Sequence, residues 1–157
     1  MIRPSSILCA VDFSDASAGA LRYAAVVAAH FQARLIVLTV ENPLLTDALD
    51  LGTGVAWTPD DCVAELQDFV ANTFGPDLPQ GDRITYEVAV GKPPAEILRV
   101  GTERSCQLIV MSSHGLTGAR KLFFGSTTER VLRETTVPVV VTSAHDPGPL
   151  IPGRLLP

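Results

Sequence analysis

The segment SSHGLTGARKLFFGS, residues 112–126, concentrates the residue types in this chain that could do chemistry. Gly115 and Gly125 would let backbone amides approach an anion closely, Ser126 and Thr127 add hydroxyl donors, and Arg120 and Lys121 add positive charge. The order differs from the common phosphate loop, in which Lys follows the last glycine; here Ser126 follows Gly125. Ser113 and His114, with Asp12 far upstream, supply the residue types of a hydrolytic triad. The Gly-x-Ser-x-Gly elbow is missing, however, and adjacent side chains on an extended segment are expected to diverge. Nothing nearby reads as a general base, so the segment points to holding an anion, with slow hydrolysis at most. Cys9, Cys62 and Cys106 are widely spaced with no Cys-x-x-Cys, and read as small buried apolar side chains rather than a zinc or redox site.

The elements that must position this segment alternate. SILCAVDF (6–13) is an apolar run ending in an acid, as a buried strand would. Ser14 and Asp15 offer cap chemistry for an Ala-rich helix over 15–31, with Ala18, Leu21, Ala25, Val26 and Ala29 as its apolar stripe. RLIVLTV (34–40) is a second buried strand. TPDDCVAELQDFVANTF (58–74) reads as a helix capped by Thr58 and stopped by Gly75-Pro76. RITYEVAV (83–90) is a third strand, nearer an edge; Gly91-Lys92-Pro93-Pro94 then turns into a helix reaching Arg104. CQLIVM (106–111), a helix over 126–134 and VPVVVTS (137–143) complete the series. This alternation predicts an α/β fold: a doubly wound, five-stranded parallel sheet with helices on both faces.

Ligands of such sheets bind beyond the carboxyl ends of the strands, where the strand order reverses. With the first strand central, the order 3-2-1-4-5 reverses between strands one and four. Asp12 then faces Ser112–Gly125. A carboxylate opposite a glycine-containing loop that opens a helix is a nucleotide arrangement: the acid accepts from ribose hydroxyls, while loop amides and the helix N-terminus take phosphates. Each residue also has an ordinary use. Taken alone, Asp12 is more often a cap or turn residue, the glycines turn formers, Ser126 an N-cap, and Arg120 and Lys121 solvated surface. Their convergence on one crevice favours the nucleotide.

The chain has 157 residues, 46% hydrophobic and 18% charged, which suits one folded domain, and its formal net charge of −5 disfavours nucleic acid and anionic membranes as partners. No apolar run is long enough to span a bilayer and the N-terminus lacks a signal-peptide layout, so the expected location is cytoplasmic. A domain over 1–145 is followed by a Pro/Gly-rich tail, 146–157.

ILCAVDFSDASAGAL, then LIVLTV, then MSSHGLTGARKLFFGSTTERVLRETTVPVVV resemble the universal stress protein family in order and spacing from residue 6 to 142. The resemblance implies a Rossmann-like fold of the adenine nucleotide alpha hydrolase-like kind and a small regulatory protein of the stress response. The family's nucleotide-binding branch carries Gly-x-x-Gly, nine residues, then Gly-Ser or Gly-Thr; Gly115, nine residues and Gly125-Ser126 match, and Ser112 replaces the first glycine. Carried over, the motif implies ATP as ligand. It gives Asp12 to the ribose, Ala10 and Val11 to the pocket floor, and Val40 to the adenine. Met111 and Ser112 flank the nucleotide, and Gly115, Gly125, Ser126 and Thr127 hold the phosphates. Mg²⁺ could accompany ATP, with Ser126 as a ligand. The resemblance also implies a homodimer through the last strand, and an apolar edge such as VPVVVTS needs a partner. Alternatives are a relative without ATP that works by protein contacts, and a slow ATP hydrolase. The downstream partner is not legible.

Overall fold

The computed structural model describes residues 3–42, 59–77, 83–114 and 124–143. Five strands, β1 (Ser6–Val11), β2 (Arg34–Glu41), β3 (Ile84–Val90), β4 (Leu108–Ser112) and β5 (Val139–Thr142), form one sheet in the order β3-β2-β1-β4-β5. Every pairing is parallel, with Ile7 opposite both Leu35 and Leu108, and Ser112 opposite Thr142. Among the described residues the α-helices are α1 (Asp15–Phe31), α2 (Pro59–Phe74), α3 (Pro93–Glu103) and α4 (Ser126–Glu134).

The unbroken apolar runs of β1 and β2 follow from burial on both faces. Ile7, Cys9 and Val11 point to one side, where they join Ala20, Leu21 and Ala24 of α1 and Leu66 and Val70 of α2. Leu8 points to the other, with Ile97 and Val100 of α3 and Val131 of α4. Ala20 and Ala24 are fully buried, and their small side chains let α1 lie close against the central strands. The α1 stripe differs from the expected one: Ala18, Leu21 and Ala25 are buried, but Val26 is only half-buried and Ala29 is exposed. Ser17, Ala20, Ala24 and Ala28 are buried instead. An Ala-rich helix looks apolar on more than one side, so composition does not fix its rotation.

Two helix ends use left-handed residues other than glycine. Gln32 (φ 56°) ends α1, with its amide bonded to the Ala29 carbonyl and that of Ala33 to the Ala28 carbonyl. Ser105 (φ 50°) does the same after α3, with Cys106 N–H reaching Gly101 O at 2.9 Å. This is the Schellman arrangement. The second turn consumes residues 105–107, so β4 begins at Leu108 rather than at Cys106. Gln107 instead uses Oε1 to accept from the amides of Ser5 (2.8 Å) and Ser6 (3.0 Å), fixing the start of β1. All three cysteines are buried free thiols.

Candidate nucleotide site

The carboxyl ends of β1, β2 and β4 and the first turn of α4 enclose a cavity of about 320 Å³. Ala10 and Val11 line it from β1 and Asp12 from just beyond that strand, Val40 from β2, Met111 and Ser112 from β4, Gly125 from the cap of α4, and Ser126 and Thr127 from its first turn. The expected site residues therefore meet at one place, apart from Gly115. That residue, Arg120, Lys121 and most of the expected phosphate loop lie outside the described residues, as do Thr58 and the tail. Leu38, Pro93, Ile97 and Thr128 also line the cavity, and sequence reasoning does not single them out. Helix α3 follows β3, so its first turn must open at the same end of the sheet as Asp12. That topological signal could have placed Pro93 and Ile97 there.

The lining is part apolar and part polar. Leu38, Val40, Ile97 and Met111 make part of the lining apolar, and Ser126, Thr127 and Thr128 at the start of α4 bring hydroxyls to it. Gly125 is the N-cap of α4 (φ −59°, ψ 152°) and no side chain caps the helix. Ser126 is thus the first helical residue rather than the cap. The amides and hydroxyls of Ser126 and Thr127 stand at the positive end of the helix dipole, where an anion is favoured. Gly125's own N–H is already committed to Ser113 O at 2.8 Å. Gly125 therefore shapes the wall, and the donors come from the residues after it.

The exit of β4 is fastened at several points. Thr128, buried, donates through Oγ1 to Ser112 O at 2.9 Å and so ties α4 to the strand. Ser113 N–H donates to Thr142 O of β5 at 2.8 Å. Ser112 Oγ donates to His114 O at 2.8 Å, so its hydroxyl is engaged with its own chain. The positive-φ residues other than glycine among those described are Phe13, Gln32 and Ser105. The backbone at Ser112 thus has no need of glycine.

Ser113 and His114 do not diverge: Ser113 Oγ lies 3.0 Å from His114 Nδ1. The chain has left the sheet after Ser112 and turns, so strand alternation no longer applies. His114 Nε2 is buried with no hydrogen-bond partner, which leaves the pair without the acid that a triad needs. Burial pushes the Cys9 and Cys106 thiols up, and a weak contact from Ser6 offsets part of this at Cys106. Neither is a poised nucleophile. Among the described residues no group of His, Cys, Asp and Glu is arranged to hold a metal ion, and no helix is long and apolar enough to cross a membrane.

Asp12 sits where β1 gives way to α1. Its Oδ1 accepts from Ser14 N–H at 3.2 Å and Ser14 Oγ at 2.5 Å. Phe13 between them is left-handed (φ 63°) and stacks edge-on against Phe69 of α2, ring centres 5.4 Å apart. Left-handed backbone is uncommon for a bulky residue and marks a turn held by its surroundings.

The profile of the universal stress protein family matches residues 5–143. Universal stress protein YxiE of Bacillus subtilis (strain 168) is 30% identical over 145 residues, covering 87% of this chain and 97% of that protein. Among solved structures, universal stress protein UspA from Lactobacillus plantarum superposes with a TM-score of 0.67 at 28% identity, over 90% of this chain and 99% of that one. A universal stress protein in complex with cAMP gives 0.65 at 20% identity, over 92% and 100% of the two chains. One from Archaeoglobus fulgidus in complex with dAMP gives 0.59 at 22%, over 90% and 98%. With the profile spanning nearly all of the sheet and its helices, this chain belongs to the universal stress protein family.

Proposed function

We propose that this protein binds an adenine nucleotide, ATP in the first instance, between β1 and β4 and acts as a nucleotide-responsive regulatory homodimer in the cytoplasm. The observation that carries this reading is the cavity itself. A partly apolar lining, a carboxylate at the end of β1 and an uncapped helix N-terminus converge in about 320 Å³, and each matches one part of a nucleotide. The base lies on Val40, Leu38 and Met111, the ribose hydroxyls donate to Asp12, and the phosphates meet Ser126 and Thr127. Where Mg²⁺ accompanies ATP, Ser126 Oγ is the side-chain oxygen of this wall that would hold it, and the ion would offset phosphate charge. Relatives of the same fold in complex with cAMP and dAMP support an adenine nucleotide as the ligand class. The half-exposed residues of β5, at the sheet edge, support pairing with a second copy.

The test is direct. Purified protein is denatured mildly and released nucleotide identified by chromatography, and calorimetry is then run with ATP, ADP, AMP and cAMP. A charged hydrogen-bond acceptor is worth about 1.5–3 kcal/mol, so Asp12→Ala should weaken binding at least about tenfold while the protein stays folded. Equal affinity of variant and parent would remove the ribose role. Absence of binding by every adenine nucleotide would leave a family member that works through protein contacts.

A further inference from the structure

We propose that Ser14 is the positioning residue for Asp12, and that its hydroxyl sets how strongly the site distinguishes ribose from deoxyribose. This rests on the nucleotide reading above and extends it to a residue that does not line the cavity. The left-handed turn at Phe13 folds Ser14 back so that its N–H and its Oγ both donate to the same carboxylate oxygen, Asp12 Oδ1. The same Oγ accepts from Ser17 N–H at 3.2 Å, which is the N-cap bond of α1. Ser17 closes the ring: its Oγ accepts from Asp12 N–H at 3.3 Å and donates to Ser14 O at 2.9 Å.

The choice of residue reflects this double duty. Ser, Thr, Asp and Asn all cap helices well. A hydroxyl carries one proton and two lone pairs, so it caps with a lone pair while giving its proton to Asp12. An aspartate at 14 would cap but could not donate, and would set a second negative charge beside the first. A carboxylate torsion is otherwise broad and roughly two-fold. Two donors on one oxygen fix the carboxylate plane before ligand arrives, so its orientation is set by the first turn of α1 rather than by the ligand.

The experiment uses the full chain and measures dissociation constants for AMP, 2′-deoxy-AMP and 3′-deoxy-AMP. Both analogues are needed because dAMP lacks the 2′-hydroxyl while cAMP has its 3′-oxygen within the phosphodiester ring. The variants are Ser14→Gly, Ser14→Thr and Asp12→Asn, each with a thermal melt. Glycine remains a serviceable N-cap and keeps the backbone donor, but loses the hydroxyl. Ser14→Gly should weaken AMP binding about threefold to tenfold, leave the weaker-binding deoxy analogue unchanged, and so lower the AMP-to-deoxy preference. Ser14→Thr should restore that preference, which a purely structural role would not require. If Ser14→Gly keeps the parent's preference while Asp12→Asn loses it, Ser14 only caps α1 and the inference is wrong. If Asp12→Asn also keeps it, or no nucleotide binds, the ribose assignment fails and this inference with it.

Discussion

Gly125 separates the demands of the fold from those of the ligand. Its φ of −59° and ψ of 152° are open to any L-residue. A Cβ built there meets Ser113 O at 3.5 Å and His114 Cα at 3.8 Å, which are ordinary contacts. Replacing the N-cap glycine by alanine costs up to about 1 kcal/mol in capping, and stiffening the unfolded chain returns about 0.4–1 kcal/mol. The two nearly offset, so Gly125→Ala should shift Tm by no more than about 4 °C in a domain of this size. Binding should respond differently. Gly125 walls the cavity beside Ser126 and Thr127, and on the proposed reading a phosphate seated on their amides would compete with a side chain at 125 for that space. We expect at least about a tenfold loss of ATP affinity for Gly125→Ala, or about 1.4 kcal/mol, and no measurable binding for the β-branched Gly125→Val. Calorimetry paired with thermal melts on the same samples makes the comparison. A Gly125→Ala protein with parental Tm and parental affinity would show that the phosphates do not pass this residue, refuting the placement of the anion at α4.

Other outcomes are equally checkable. Thr128→Val keeps the shape but strips Ser112 O of its buried donor, so urea unfolding should show a loss of about 1–3 kcal/mol, and a parental midpoint would mean that carbonyl finds another partner. At β5, Val139 packs into the cluster with Met111 and Val131, and Val141 shares its face by strand alternation. Val141 is not among the residues packed against that cluster, so Val141→Lys is the cleaner edge variant and should give monomers by light scattering, whereas Val139→Lys should also lower Tm; an intact dimer for both would place the interface elsewhere. Burial raises the Cys9 and Cys106 thiols above the ordinary 9.0, so the folded state disfavours a charge that the unfolded chain accepts. Their contribution is complete below pH 9 and is lost as pH rises above it, so unfolding free energy should hold level up to about pH 8.5 and fall beyond pH 9. A rise over that interval would contradict the burial of these thiols.

Much of the fold is legible in the sequence because burial on both faces leaves a plain mark. The runs at 7–11 and 35–38 have no polar interruption, and the turn residues around Gly91 separate β3 from α3. That Asp12 and Gly125–Thr127 line one cavity is legible because parallel topology forces strand ends and helix starts to one edge of the sheet. Boundaries fail where the chain departs from common residue preferences. Gln32 and Ser105 take left-handed turns usually given to glycine, and Gln107 looks like strand but spends its side chain on Ser5 and Ser6. Thr128 escapes a reading of the sequence because its partner, Ser112 O, is a backbone atom sixteen residues away. Such a bond leaves no pattern in local spacing. The meeting of Ser113 with His114 escapes it too, because the strand ends one residue earlier than the expected divergence requires.

Ser113 has a consequence for how two binding events communicate. Its N–H is bonded to β5 and its carbonyl to Gly125, so one peptide unit on each side separates the sheet edge from the anion wall. In the proposed homodimer, a shift of that edge on pairing would reach the proposed site through this one residue rather than through the core. Thermodynamic linkage then makes the influence mutual: whatever factor nucleotide adds to self-association, self-association adds to nucleotide affinity. On the proposed reading, this protein's concentration and the nucleotide pool would then act as a single variable, with Ser113 as the point where the two are multiplied.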